Sequence, residues 1–217
     1  MKVKWLGHSA FLLTSDSGVK VLTDPYKSGS YDGAVGYKPI TAAVDVVTAS
    51  HRHDDHYCLE GLPIGYECLT GAGEHRAAGL SITGFKTYHD TNKGKDRGNN
   101  VVFVIEMDGI RVCHLGDLGH TLSKEEAGAI GKVDVLLIPV GGFYTIGPRE
   151  AVEVMKTLAP AVTIPMHFKT EALGFPIKPV EDFLSLVGHS ERPGTPEIEI
   201  KREDLGDRRV VVLEHDL

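Results

Sequence analysis

Ser50-His51-Arg52-His53-Asp54-Asp55-His56 decides how this sequence is read. It places three imidazoles and the Asp55 carboxylate within six residues, directly after Val44 to Thr48, an apolar run that reads as a buried strand. A turn leaving a strand can aim several neighbouring side chains at one point. Neutral imidazole and carboxylate are donors for zinc and other divalent cations. Two adjacent cations would need about this many donors, plus a few from elsewhere in the chain. A merely solvated loop has no reason to concentrate histidine in this way.

Outward from that stretch, the chain is rich in short strands. Val3 to Leu6, Ala10 to Thr14 and Val19 to Thr23 are apolar, and Ser15-Asp16-Ser17-Gly18 is a hairpin turn signal. Tyr26 to Pro39 and Thr91 to Asn100 read as glycine-bearing loops of the kind that border sites. Val101 to Glu106 and Ile110 to His114 flank an Asp108-Gly109 hairpin turn. The second half changes rhythm. Ser123 and Glu126 have the spacing of a helix capping box, and Pro148 suits the first turn of a helix reaching Leu158. Pro179 to Val187 reads as another helix. Val133 to Val140, Ala161 to Pro165, Ile198 to Lys201 and Arg209 to Leu213 read as strands. Strands followed by alternating helix and strand predict packed sheets with helices outside.

Composition bounds the function. The 217 residues, 41% hydrophobic and 24% charged, suffice for a substantial core. The net charge of -7 argues against nucleic acid or an anionic membrane as the main partner, since both select for clustered Lys and Arg. Cys58, Cys68 and Cys113 are odd in number and form no CxxC pair, which suits reduced thiols in the cytoplasm. The N-terminus has no signal-peptide pattern, and no run approaches the roughly 20 apolar residues of a membrane span.

His51-x-His53-x-Asp55-His56 matches the HxHxDH signature of the metallo-β-lactamase fold. The resemblance extends over most of the chain. Trp5-Leu-Gly-His8 and Leu22-Thr-Asp24-Pro25 resemble the N-terminal part of the ascorbate-phosphate lactonase-like branch. His114-Leu-Gly-Asp117 resembles its bridging-aspartate strand, and Pro165-Met-His167 the strand end carrying the last histidine. Together these are similar to an uncharacterised group of metal-dependent hydrolases within that fold. The resemblance implies an α/β, four-layer αββα sandwich of two mixed β-sheets flanked by helices. It implies one domain over residues 1–217 with two pseudo-symmetric halves, about 1–109 and 110–217.

The resemblance also implies roles. His51 and His53 would hold a first metal with a middle histidine; Asp55, His56 and His167 would hold a second; Asp117 would bridge both. His75, His89 and His114 compete for the middle place. His89 is favoured, because it closes a strand-like run before a glycine-bearing loop and lies 28 residues before Asp117, near the family interval. His75 falls at what reads as a helix start, and His114, three residues before Asp117, suits a supporting role. His8, Asp24 and His120 are candidates for contacting substrate or orienting a ligand. Gly141-Gly142, after a strand, would let the backbone pass close to a ligand.

Two divalent cations, zinc by default with Mn2+, Fe2+ or Ni2+ as alternatives, would lower the pKa of a shared water enough to give hydroxide at neutral pH. Asp55 and Asp117 would take part in catalysis, and the substrate would be a small ester, lactone or phosphodiester. A carboxylate bridge, by resemblance, suits lactonases and phosphodiesterases better than β-lactamases. The rivals are a nuclease acting on nucleotides or RNA, a di-iron redox protein and a non-catalytic metal-binding module. Di-iron members typically carry Glu where this chain has His53, together with a flavin domain. A homo-oligomer is expected by analogy alone.

Overall fold

Successive side chains of a strand point to opposite faces of its sheet, so strands with apolar residues on both faces must be covered on both sides. That is the case for β1 (Lys2–Gly7), β2 (Ala10–Thr14), β3 (Lys20–Thr23) and β4 (Val46–Thr48). Val3, Trp5, Phe11, Leu13, Val21 and Val46 enter the main core, whereas Leu6, Ala10, Leu22 and Val47 enter a second one. The structure, a computed structural model, describes residues 1–216.

With β5 (Glu67–Leu69) and β12 (Glu197–Glu199) these strands form a six-stranded sheet, ordered β12-β1-β2-β3-β4-β5. Pairing is antiparallel from β12 to β3 and parallel from β3 to β5. The second sheet contains β6 (Gly73–Ala77), β7 (Leu80–Tyr88), β8 (Asn99–Met107), β9 (Ile110–His114), β10 (Val135–Pro139), β11 (Val162–Met166) and β13 (Arg209–Val210). Its order is β13-β11-β10-β9-β8-β7-β6, antiparallel from β6 to β9 and parallel beyond. Phe103, Ile105 and Val112 of this sheet share the main core with Phe11 and Leu13 of the first. His75 therefore lies in an edge strand, paired with Ile82, and not at a helix start.

Three helices lie in the second half: α1 (Lys124–Ile130), α2 (Pro148–Leu158) and α3 (Val180–Val187). The Ser123 hydroxyl accepts from Glu126 N at 3.1 Å, and the Glu126 carboxylate accepts from Ser123 N at 2.8 Å, completing the box read from sequence. α2 packs on α3 and β10, burying Ala151, Val154 and Phe183. The predicted two-sheet sandwich with outer helices is present, with one departure: loops cover the outer face of the first sheet. Tyr26, Val35, Tyr37 and Ile40 from the loop after β3 join Leu173, Phe175 and Ile177 from the segment before α3. The two segments are stitched together by Gly36 N to Ala172 O at 2.8 Å and Gly174 N to Ala34 O at 2.6 Å, around a Val35–Leu173 bridge. Among the described residues, no helix is long and apolar enough to cross a membrane.

Truncating Phe103, a large side chain fully buried between the sheets, should cost far more than removing a cap. Phe103→Ala is expected to lower unfolding free energy by about 3–5 kcal/mol and Ser123→Ala by about 1 kcal/mol, measured by urea denaturation. Equal losses would contradict a core centred between the two sheets.

Candidate metal centre

Parallel strands deliver their C-terminal ends to one edge of a sheet, where ligands commonly bind. Here several strand ends converge. His8 follows β1, Asp24 follows β3, His51 to His56 follow β4, His89 follows β7, Asp117 follows β9 and His167 follows β11. Three of these residues leave their strands in the left-handed backbone region: His8 at φ 51°, Asp24 at φ 40° and His167 at φ 49°. Such conformations are unfavourable for residues with a Cβ, and they gather where surrounding structure enforces them. Gly116, at φ 55°, permits the turn into Asp117, since a Cβ there would sit 2.4 Å from that of Ser50. At Gly141 a Cβ would come within 2.3 Å of His167 O, so glycine lets the chain just after β10 run against the last histidine.

The side chains assemble into two donor groups. Donor atoms of His51, His53 and His89 lie within 4.8 Å of one another, and so do those of His8, Asp55, His56 and His167. Asp117 stands between the groups. Its Oδ2 is 3.1 Å from His89 Nε2 and 3.9 Å from His51 Nε2; its Oδ1 is 3.1 Å from His56 Nε2 and 3.4 Å from His167 Nε2. Of the three candidates for the middle place, the structure brings His89 to the other donors. His75 is remote, and His114 is occupied: its Nδ1 accepts from Gly116 N at 3.1 Å while Nε2 donates to Ser9 O at 2.8 Å.

Several atoms at the centre are buried with no hydrogen-bond partner: His51 Nε2, His56 Nε2, His167 Nε2 and Asp117 Oδ1. His56 and His167 approach Asp117 closely, but not along hydrogen-bond directions. An unsatisfied buried polar group costs about 1–3 kcal/mol, and these groups point at common centres. A divalent cation in each donor group would satisfy them, so the residues fit a pair of metals.

Neighbouring hydrogen bonds prepare the donors. The Asp24 carboxylate accepts from Ser50 N at 2.8 Å and from the Ser50 hydroxyl at 2.5 Å. It also accepts from His56 Nδ1 at 2.8 Å. Because the Ser50 hydroxyl donates to Asp24, it accepts from His51 Nδ1, 2.9 Å away. Both rings then carry hydrogen on Nδ1 and turn their Nε2 atoms inward. Asn100 holds the bridging residue: its Oδ1 accepts from Asp117 N at 2.9 Å, while Nδ2 donates to Thr87 Oγ1 and Leu115 O. His8 Nε2 donates to Asp55 Oδ2 at 3.1 Å, so His8 orients a ligand within the second group.

Electrostatics divide the donors by charge state. Burial opposes charge on Asp55 and Asp117, yet the surrounding imidazoles hold both carboxyls below their usual range. Burial and the nearby His56 press His51 down to about 3, and burial with His167 presses His8 down to about 4. Burial likewise opposes protonation of His56, but Asp117, Asp55 and Asp24 overcome it and raise that imidazole well above its ordinary value. A cation would replace the proton that His56 holds.

A cavity of about 350 Å³ opens over His53, Asp55, His89 and Asp117. Its walls include Tyr31, Asp96, Arg97, Tyr144 and Phe175, none of which carried a sequence signal. The Tyr31 hydroxyl donates to Asp55 Oδ1 at 3.1 Å. His120 does not reach this cavity. Its Nε2 accepts from Tyr88 N and its Nδ1 donates to Thr121 O, and it lines a separate groove with Phe143 and Leu186.

Comparison with known proteins finds relatives over most of the chain. Residues 2–167 match the family described as Beta-lactamase superfamily domain. A metal-dependent hydrolase of Archaeoglobus fulgidus is 31% identical over 86% of this chain and 90% of its own length. Another from Methanopyrus kandleri is 32% identical over 99% and 97%. A Thermotoga maritima crystal structure, of a candidate zinc-dependent hydrolase of the metallo-beta-lactamase superfamily, is 41% identical, covers 98% of both chains and has a TM-score of 0.80.

If Asp24 sets the donor rings, Asp24→Asn should weaken metal binding by about 10–100-fold, measured by competition with a chromophoric chelator. His120→Ala should leave it unchanged. Equal affinities for the two variants would contradict the role given to Asp24.

Proposed function

The chain belongs to the beta-lactamase superfamily, and on that premise we propose that it is a binuclear metal-dependent hydrolase of a small ester, lactone or phosphodiester. The observation that carries this reading is the division of the Asp117 carboxylate, one oxygen toward His51 and His89 and the other toward His56 and His167. His51, His53 and His89 would hold one cation, Asp55, His56 and His167 the other, and Asp117 both. Zinc suits these donors, and Mn2+, Fe2+ or Ni2+ can use them too. When bound, such a pair supplies an activated water and a positive field for the attacked group.

The chain's own residues do the rest. Asp24 and Ser50 fix the tautomers of His56 and His51, and His8 and Tyr31 hold Asp55 from either side. Burial and the Asp55 carboxylate push the Tyr31 phenol above its usual range, so it keeps its proton at neutral pH. Phe175 and Tyr144 line the mouth with aromatic surface. Among the described residues, no serine or cysteine lines this cavity, so a covalent acyl-enzyme route has no nucleophile there. A cavity near the small end of the usual range for ligand sites favours small molecules over RNA. The three free cysteines fit a reducing cytoplasm.

Elemental analysis is expected to find about two metals per wild-type chain. Asp117→Ala should lose metal together with turnover of lactone, aryl ester or bis(aryl)phosphate substrates. An absence of tightly bound metal after reconstitution with zinc, manganese and iron would overturn the assignment. Because protons and cations compete for the same imidazoles, metal affinity should rise with pH and fall on acidification. A pH-independent affinity in chelator competition would argue against the histidine donors.

A further inference from the structure

The mouth of the centre is built asymmetrically. On one side, Tyr31, Phe175 and Tyr144 form a continuous aromatic wall: the Tyr31 and Phe175 rings meet edge-on at 5.4 Å and the Phe175 and Tyr144 rings at 5.6 Å. At the end of this wall the Arg97 guanidinium lies 5.7 Å above the Tyr144 ring. Arg97 is placed by its backbone. Asp90 accepts from the main-chain N–H groups of Asn92, Gly94, Asp96 and Arg97 at 2.7–3.0 Å, which winds the loop around one carboxylate. The Arg97 side chain is exposed and forms no ion pair among the described residues. Asp96, the other charged residue of this loop at the mouth, accepts from Asn92 Nδ2 at 3.3 Å.

A guanidinium offers a planar fork of donors that matches an oxyacid anion, and attraction to the face of an aromatic ring keeps it at the end of the wall. Resting on the hydrolase reading, we propose that Arg97 and the Tyr31–Phe175–Tyr144 wall form a specificity subsite for a substrate bearing its own oxyacid anion on a small apolar body. The anion meets Arg97, the body lies along the aromatic wall, and the scissile group faces His53, His89 and Asp117. Carboxylate and phosphate share the required chemistry. The cavity volume limits the body to about the size of a single ring or a short chain.

Calorimetry on metal-loaded protein tests this with benzoate, phenylphosphonate and uncharged benzamide as probes, on wild type, Arg97→Gln and Arg97→Lys. At least one anion should bind about tenfold more weakly to Arg97→Gln, the scale of a charge-assisted hydrogen bond. Benzamide should bind both proteins equally, and Arg97→Lys should retain part of the anion affinity. The tighter anion identifies the oxyacid. Anion binding that is the same in wild type and Arg97→Gln overturns the proposal. A kinetic arm compares 4-acetoxybenzoate with its methyl ester, and the ratio of their kcat/KM values should fall in Arg97→Gln. If neither ester, nor any of the lactone and bis(aryl)phosphate substrates, is cleaved while anion binding still requires Arg97, the subsite stands and the hydrolase reading falls. If both are cleaved with an unchanged ratio, the hydrolase reading stands and the subsite falls.

Discussion

Three carboxylates, Asp24, Asp55 and Asp117, are buried at one edge of the sandwich, and the rest of the site is arranged around that fact. An ionised carboxylate taken out of water is strongly unfavourable unless paired and hydrogen-bonded. Each here has a different remedy. Asp24 is surrounded by donors from Ser50 and His56. Asp55 is shared between His8 and Tyr31. Asp117 is positioned by its backbone N–H, which donates to Asn100 Oδ1, but its own Oδ1 has no aligned partner. The residual deficit thus falls on the one carboxylate that faces both donor groups, where a cation would offset it.

Satisfying those charges needs side chains held within narrow limits, and the fold supplies them from strand ends. The left-handed turns at His8, Asp24 and His167 are unfavourable locally and persist because the strands before them are locked in sheets. The residues around the opening come from elsewhere. Tyr31 and Phe175 lie on the two stitched loops, Arg97 on the loop wound about Asp90, and Tyr144 just beyond β10. Donor geometry is therefore tied to the rigid sheets, while the pocket rim can change with loop sequence at small risk to the metal centre.

Much of this was legible in the sequence because it is local. The donors from His51 to His56 are nearly contiguous, the short strands are bounded by turn residues, and the capping box at Ser123 is a four-residue pattern. Spacing favours His89, and the structure adds what spacing cannot: the end of β7 lies beside the other donors, and His114 is engaged with Gly116 and Ser9. Other features depend on distant contacts. The cover over the first sheet joins Val35 and Tyr37 to Leu173 and Phe175 across more than a hundred residues, with no helical or strand period to announce it. In the sequence, Asn100 and Arg97 are no more than members of the loop Thr91 to Asn100. The proximity of His120 to Asp117 along the chain was misleading, since its ring is held by Tyr88 and Thr121 instead. His75 misled in the other direction, because an edge strand with one exposed face carries little apolar alternation.

The two donor groups are also unlike each other, and the difference has a chemical consequence. His8, His56 and His167 are inaccessible, and their group contains a carboxylate of its own. The group of His51, His53 and His89 has only imidazoles, with His53 exposed at the cavity. A cation in the first of these environments would be held by anionic charge and shielded from solvent. A cation in the second would depend on neutral nitrogens and the shared Asp117, and would stand nearer the opening. The buried group is therefore suited to anchoring, and the exposed one to meeting what enters. That polarity runs in the same direction as the aromatic wall and Arg97, which lie on the open side, so the whole site is graded from a fixed, charge-compensated floor to an adaptable rim.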